Sequence, residues 1–119
     1  MQKFNFSYDK ENDDLLVFNP RFKSRGSVEL GNIIFDYNNK KEFVGMQIMK
    51  ASKMIKDMTN ENTKVIKEVL NNLKECKVDA RQQNNLLIVK IFLLSKLKEV
   101  SPVISVPSVI EPSPALVYT

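Results

Sequence analysis

From Leu86 to Leu94, eight of nine residues are apolar, and only Lys90 interrupts them. The run is far shorter than the ~20 apolar residues a membrane-spanning helix needs, so it has to be buried in protein. A helix is the rival reading. Ile88, Val89, Ile91 and Phe92 argue against it, because β-branched and aromatic side chains suit a pleated surface. The polar corner Gln83-Asn84-Asn85 ahead of the run reads as a turn, with Val78–Arg81 as the strand before it. A strand greasy on both faces is expected to be covered front and back.

The first 50 residues read as a β-meander. Phe4, Phe6 and Tyr8 alternate with Lys3, Asn5 and Ser7, the period of two that marks a one-sided strand. Asp9 to Asp13 is the turn and Leu15 to Phe18 the return strand, ended by Pro20. Ser27 to Tyr37 reads as one strand bent at Gly31, and Asn38 to Lys41 as a turn. Phe43 to Met49 is a further strand, in which Gly45 admits a close neighbour.

Helical spacing then takes over. Val65, Ile66, Val69, Leu70, Leu73 and Cys76 form one stripe, with Asn60 and Asn62 as candidate N-caps, which predicts a helix over 60–77. The methionines around residues 46–58 read as adaptable core filling. Four of the five prolines fall after residue 100, interleaved with apolar residues. Val103 to Val106 is therefore an edge strand, followed by an extended arm.

These elements describe one α+β domain over 1–119: a β-meander (1–50), a helix (60–77), a β-hairpin and edge strand (78–106) and a Pro-rich arm (107–119). The expected architecture is an antiparallel β-sheet of about six strands, one main amphipathic helix packed on it, and an extended C-terminal arm.

Composition narrows the chemistry. The chain has no histidine and one cysteine, Cys76. No intrachain disulfide can form, and histidine-activated nucleophiles and histidine metal ligation are excluded. The three glycines make neither a phosphate-cradling loop nor a dinucleotide fingerprint. Asp9, Glu11, Asp13 and Asp14 fail as a calcium loop, because Asp14 stands where glycine is needed and Pro20 where the bidentate glutamate belongs. No enzyme activity and no cofactor or metal is expected. The N-terminus lacks the apolar core of a secretory signal, and a cytoplasmic protein is expected.

Two stretches carry a family resemblance. Tyr8-Asp9-Lys10-Glu11-Asn12-Asp13-Asp14-Leu15-Leu16-Val17 resembles the Tyr-Asp-x-Glu-x-Asp-x-Leu-Tyr-Ile opening of a family of small prokaryotic proteins of unknown function. Ile34-Phe35-Asp36-Tyr37-Asn38 and Val44-Gly45-Met46-Gln47-Ile48-Met49-Lys50-Ala51-Ser52 resemble its closing patterns, Leu-Asp-Tyr-Asp and Val-Gly-Ile-Glu-Ile-Leu-x-Ala-Ser. The likeness covers residues 4–55 and departs at Leu16, often Tyr, and Gln47, usually acidic. It implies a small antiparallel sheet and no established activity. Some short members are similar to antitoxin-like partners in two-gene modules, which implies binding rather than catalysis.

Two interaction surfaces stand out. The apolar arm offers Val103, Val106, Val109, Ile110, Leu116 and Tyr118 to another subunit or to its own sheet. One helix cannot cover six strands, so the leading expectation is a self-associating or protein-binding module, a homo-oligomer with a dimer favoured. The alternative is a weak nucleic-acid binder using the basic loop Arg21, Phe22, Lys23 and Arg25, with Lys53 and Lys56 added if they share its face. The formal charge is only +4, with lysines spread along the chain, which argues against nucleic acid as the main partner. No membrane partner is expected.

Overall fold

A computed structural model describes residues 2–96 and 98–107 of the chain. Its elements are β1 (Gln2–Asp9), β2 (Asp14–Phe18), β3 (Gly26–Leu30), β4 (Ile33–Tyr37), β5 (Phe43–Ile48), α1 (Ala51–Thr59), α2 (Thr63–Asn71), β6 (Leu73–Gln83), β7 (Leu86–Ser95), β8 (Glu99–Val100) and β9 (Val103–Pro107). The class is α+β, and the strands pair antiparallel throughout. The sheet runs β3-β4-β5-β2-β1-β6-β7-β8, with β9 also on β7, so among the described residues it has nine strands rather than about six.

The opening hairpin stands where its alternation placed it, with Asn5 opposite Phe18 and Asp9 opposite Asp14. Phe4 is buried, Phe6 and Tyr8 pack on the core, and Lys3, Asn5 and Ser7 are exposed. β1 serves two neighbours in succession. Gln2 to Phe4 pair with β6, and Asn5 to Asp9 pair with β2. It therefore joins the two halves of the sheet.

The meander is corrected in two ways. Residues 27–37 are two strands, because Gly31 reverses the chain instead of bending it. Leu30 faces Ile33 across a two-residue loop, and Gly31 takes φ 60° as its first member, a conformation glycine reaches without a Cβ penalty. In addition, β2 lies beside β5, not β3. Gly45 of β5 explains that close pairing: a Cβ there would come within 2.8 Å of the Val17 carbonyl oxygen.

The single helix over 60–77 is also corrected. Asn60 is the left-handed C-cap of α1, while the Asn62 side chain accepts the Lys64 N–H at 2.8 Å and starts α2. Helix α2 stops at Asn71, and the Asn72 side chain donates to the Glu68 carbonyl oxygen at 2.7 Å. Leu73 to Lys77 then belong to β6, where Cys76 faces Leu93. A strand that pairs along almost the whole length of β7 outweighs the helical spacing of those residues. Helix α1 buries Ala51, Ser52 and Ile55, with Met54 and Met58 packed on the core as filling.

Asn84 and Asn85, both at positive φ, make the tight turn between β6 and β7. The far edge of β7 is shared: β9 pairs with Leu86 to Lys90, and β8 with Leu93 and Leu94. Pro102 lies buried between β8 and β9, where its missing N–H ends the ladder. Of the expected arm, Pro107 closes β9, and residues 108–119 lie outside the described residues.

The expectation that β7 is covered on both faces does not hold. Leu87, Val89, Ile91 and Leu93 are buried under α2 and its neighbours. The opposite face carries Leu86, Ile88, Lys90, Phe92 and Leu94, none of them buried. Both helices serve the same core, so among the described residues the other face of this half of the sheet has no helix on it.

Candidate functional site

Two surfaces carry candidate interaction residues. The first is the outer face of β6, β7 and β9. Leu86 is 41% exposed and Val103, beside Lys90, is 48% exposed. Ile88 lies between them and Phe92 and Leu94 beyond Val103, all three partly covered, and the Lys90 ammonium stands 4.9 Å from the Phe92 ring centre. Along one side runs β6, whose residues on this face are Glu75, Lys77, Asp79 and Arg81, opposite Leu94, Phe92, Lys90 and Ile88. Their charges alternate, and the row is already laced by pairs: Glu75 with Lys77 and Lys3 at 3.8 Å, Asp79 with Arg81 at 3.1 Å.

The arm residues named for interaction separate here. Val103 faces outward, whereas Val106 is buried opposite Leu87 and belongs to the core of its own chain. Val109, Ile110, Leu116 and Tyr118 lie outside the described residues. The outward residues of β7 were not singled out as that surface, because an apolar run broken only by Lys90 reads as two buried faces.

The second surface is the loop between β2 and β3. Both of its ends are tied. The buried Asn19 donates its side-chain N–H to Gln2 at 3.1 Å and accepts the Arg21 N–H at 3.0 Å, and the Arg25 N–H donates to the Tyr37 carbonyl oxygen at 2.7 Å. Between these anchors Arg21, Lys23 and Arg25 are exposed, and Phe22 is 47% exposed. The β4–β5 turn comes alongside. The Asn38 side-chain oxygen accepts the Lys40 and Glu42 N–H groups at 2.9 and 3.0 Å, which fixes the turn and presents Lys40. Arg21, Phe22, Lys23, Arg25 and Lys40 border one hollow; Lys53 and Lys56, on α1, are not among its lining residues. Sequence spacing had no means of finding Lys40, which enters through strand pairing.

Phe22 also borders a cleft of about 350 Å³ walled by Phe4, Phe43, Val78 and Leu87. Phe4 and Phe43 stack there with ring centres 6.2 Å apart. Tyr37 lines this cleft, and its hydroxyl is buried with no hydrogen-bond partner among the described residues. Burial pushes the Tyr37 phenol above its ordinary pKa.

The acidic turn has structural duties. The Asp9 carboxylate accepts the Glu11 and Asn12 N–H groups and the Asn12 side chain, and those bonds hold its pKa below the usual range. Asp13 reaches across the fold. It accepts the Tyr8 hydroxyl at 2.6 Å, the Ser52 hydroxyl at 2.6 Å and the Ser52 N–H at 3.1 Å, while its carbonyl oxygen accepts the Ala51 N–H at 2.7 Å. It thus caps α1 from 39 residues away. Partial burial and the neighbouring Asp13 carboxylate push the Tyr8 phenol well above its ordinary range. The Cys76 thiol is buried and desolvation pushes it up to about 12, which makes it a packing residue rather than a nucleophile. Among the described residues, no three acidic or cysteine side chains gather as metal ligands, and no helix is long and apolar enough to cross a membrane.

Residues 5–52 match the family model described as a protein of unknown function (DUF2283), which spans the opening hairpin to the start of α1. The chain is similar to the uncharacterized protein MJ0789 of Methanocaldococcus jannaschii, 31% identical over 101 residues, covering 82% of this chain and 80% of that protein. No solved structure gives a significant match.

Proposed function

Since the chain belongs to a small family of proteins of unknown function that includes the archaeal relative, its role has to be read from its surface, and we propose a non-enzymatic module that self-associates, as a dimer, through the outer face of β6, β7 and β9. The observation that carries this reading is the stripe Leu86, Ile88, Phe92, Leu94 and Val103, apolar and, among the described residues, left without a helix above it. A contiguous apolar patch with a polar border is the usual form of a protein interface.

The charge row on β6 favours a second copy of the same chain as the occupant. Turn such a face over a two-fold axis that crosses the strands at the level of Val78 and Ile91. Position 75 then meets 81, and 77 meets 79. Glu75 opposes Arg81 of the second copy and Lys77 opposes its Asp79, so all four contacts in the row join opposite signs. By the same rotation Lys90 meets Phe92 of the second copy, and Ile88 meets its Leu94. An isologous interface requires this self-complementarity, which an arbitrary surface does not have.

Sedimentation equilibrium tests the reading. The wild-type chain should dimerise at concentrations up to tens of micromolar, and Ile88→Lys should make it monomeric. Asp79→Lys should weaken the dimer by placing lysines opposite one another, and adding Lys77→Asp should restore it. A strictly monomeric wild type, or a dimer indifferent to both Ile88→Lys and Asp79→Lys, would contradict the reading. Should the wild type be monomeric, affinity purification with wild-type and Ile88→Lys baits tests whether the same face holds a different protein.

A further inference from the structure

The loop between β2 and β3 is a separate surface, and its argument does not depend on dimerisation. We infer that it binds single-stranded nucleic acid, with Arg21, Lys23, Arg25 and Lys40 holding backbone phosphates and Phe22 stacking on a base.

Charge is the first support. Four cations border one hollow of about 300 Å³ against a single carboxylate, Glu42, which accepts the Asn38 side-chain N–H at 3.1 Å. Among the described residues, the ion pairs involve Lys3, Lys77, Arg81 and Lys98 and none of these four. Their charge is therefore available to an anion. Opposite-sign pairs elsewhere on the surface show that neutralising partners were within this sequence's reach; among the described residues none pairs with these four.

The exposed ring is the second support, and it selects the ligand. A phenylalanine in water forfeits the gain of burial, and Phe22 does so in the middle of the cations while a cleft walled by Phe4 and Phe43 opens beside it. Phosphates alone give such a ring nothing to do. An unpaired base offers a flat face to stack on and can reach the cleft, whereas in a duplex the bases are already stacked and a loop with no groove-filling helix meets only phosphates. Preorganisation is the third support. Asn19 and the Arg25 N–H hold both ends of the loop, and Asn38 holds the turn that carries Lys40. Binding then costs little ordering of the backbone.

Fluorescence anisotropy of the full chain with labelled oligo-dT, oligo-U and a mixed-sequence duplex tests the inference. Binding to the single strands should be tighter than to the duplex. Its logarithm should fall with the logarithm of salt concentration with a slope of about −3, as four phosphate contacts at about −0.7 each require. The triple variant Arg21→Ala/Lys23→Ala/Arg25→Ala should lose at least tenfold in affinity and show a shallower slope. Phe22→Ala should lose roughly 5- to 100-fold with the slope unchanged, the signature of lost stacking, and Phe22→Tyr should retain binding. All these side chains are exposed, and unchanged circular dichroism and melting temperature verify that the variants are folded. No binding to single strands at low salt overturns the inference. So does duplex binding tighter than single-strand binding, or affinity equal to that for heparin and indifferent to Phe22→Ala, which would mark adsorption to any polyanion.

Discussion

Leu87 and Ile88 are neighbours on one strand, yet they live in different solvents. Leu87, Val89, Ile91 and Leu93 have at most 4% of their surface exposed, while Leu86, Ile88, Phe92 and Leu94 stand on a face that neither α1 nor α2 covers, the two helices among the described residues. The two rows are almost equally apolar. What differs is which side α2 lies on, and that is decided by β6 and the turn at Asn72 rather than by β7. A residue's hydrophobicity thus states a need for cover without saying whether the same molecule meets it.

The sharpest break of this comparison is Ile91→Ala. Ile91 is fully buried, so chemical denaturation should register a loss of about 2–5 kcal/mol from transfer and cavity together. A loss below 1 kcal/mol would mean that the inner row is not the core. Asp13→Ala should follow with about 2–3 kcal/mol, since it removes the remote cap of α1 and places alanine at φ 55°. Asp13→Asn keeps an acceptor oxygen and tolerates that backbone, and should cost less than half as much.

The outer row should answer differently. Ile88→Ala, measured at concentrations too low for association, should cost about 1 kcal/mol or less, and its penalty should grow as concentration rises. An equal penalty for Ile88→Ala and Ile91→Ala at high dilution would erase the distinction between the faces. The smallest effect concerns Glu61, which accepts the Lys98 ammonium at 2.6 Å. That bond, with the Asn62 N–H, lowers the Glu61 pKa. A depressed folded pKa stabilises above the unfolded value and ceases to do so as pH falls through the folded one. Thermal melts of wild type and Lys98→Met should therefore differ slightly at neutral pH and converge in acid.

Several elements were legible because their signals are local. The Phe4-Phe6-Tyr8 alternation, the Asn84-Asn85 turn and the Asn62 cap each depend on a few adjacent residues, and each stands in the structure as read. Gly45 was legible for a similar reason, since a lone glycine in an apolar strand marks a near neighbour. Other features depended on partners distant in sequence. Helix α1 has modest apolar content, and its cap, Asp13, lies on another element. Leu73 and Cys76 fit a helical stripe by spacing, and only pairing with β7 assigns them to a strand. Of the basic loop, Arg21, Phe22, Lys23 and Arg25 were visible as a cluster. Lys40 joins them only through the pairing of β3, β4 and β5.

By itself the sequence determined the class of the fold, the turns at 9–13, 38–41 and 83–85 and the absence of histidine, because backbone preferences and residue inventories are properties of short segments. The tertiary structure alone decided which apolar row became core and which became surface, where the helix gave way to strand, and which cations came to share one hollow. Those outcomes follow from long-range pairing and the one-sided placement of two short helices, whose free energies belong to no single segment.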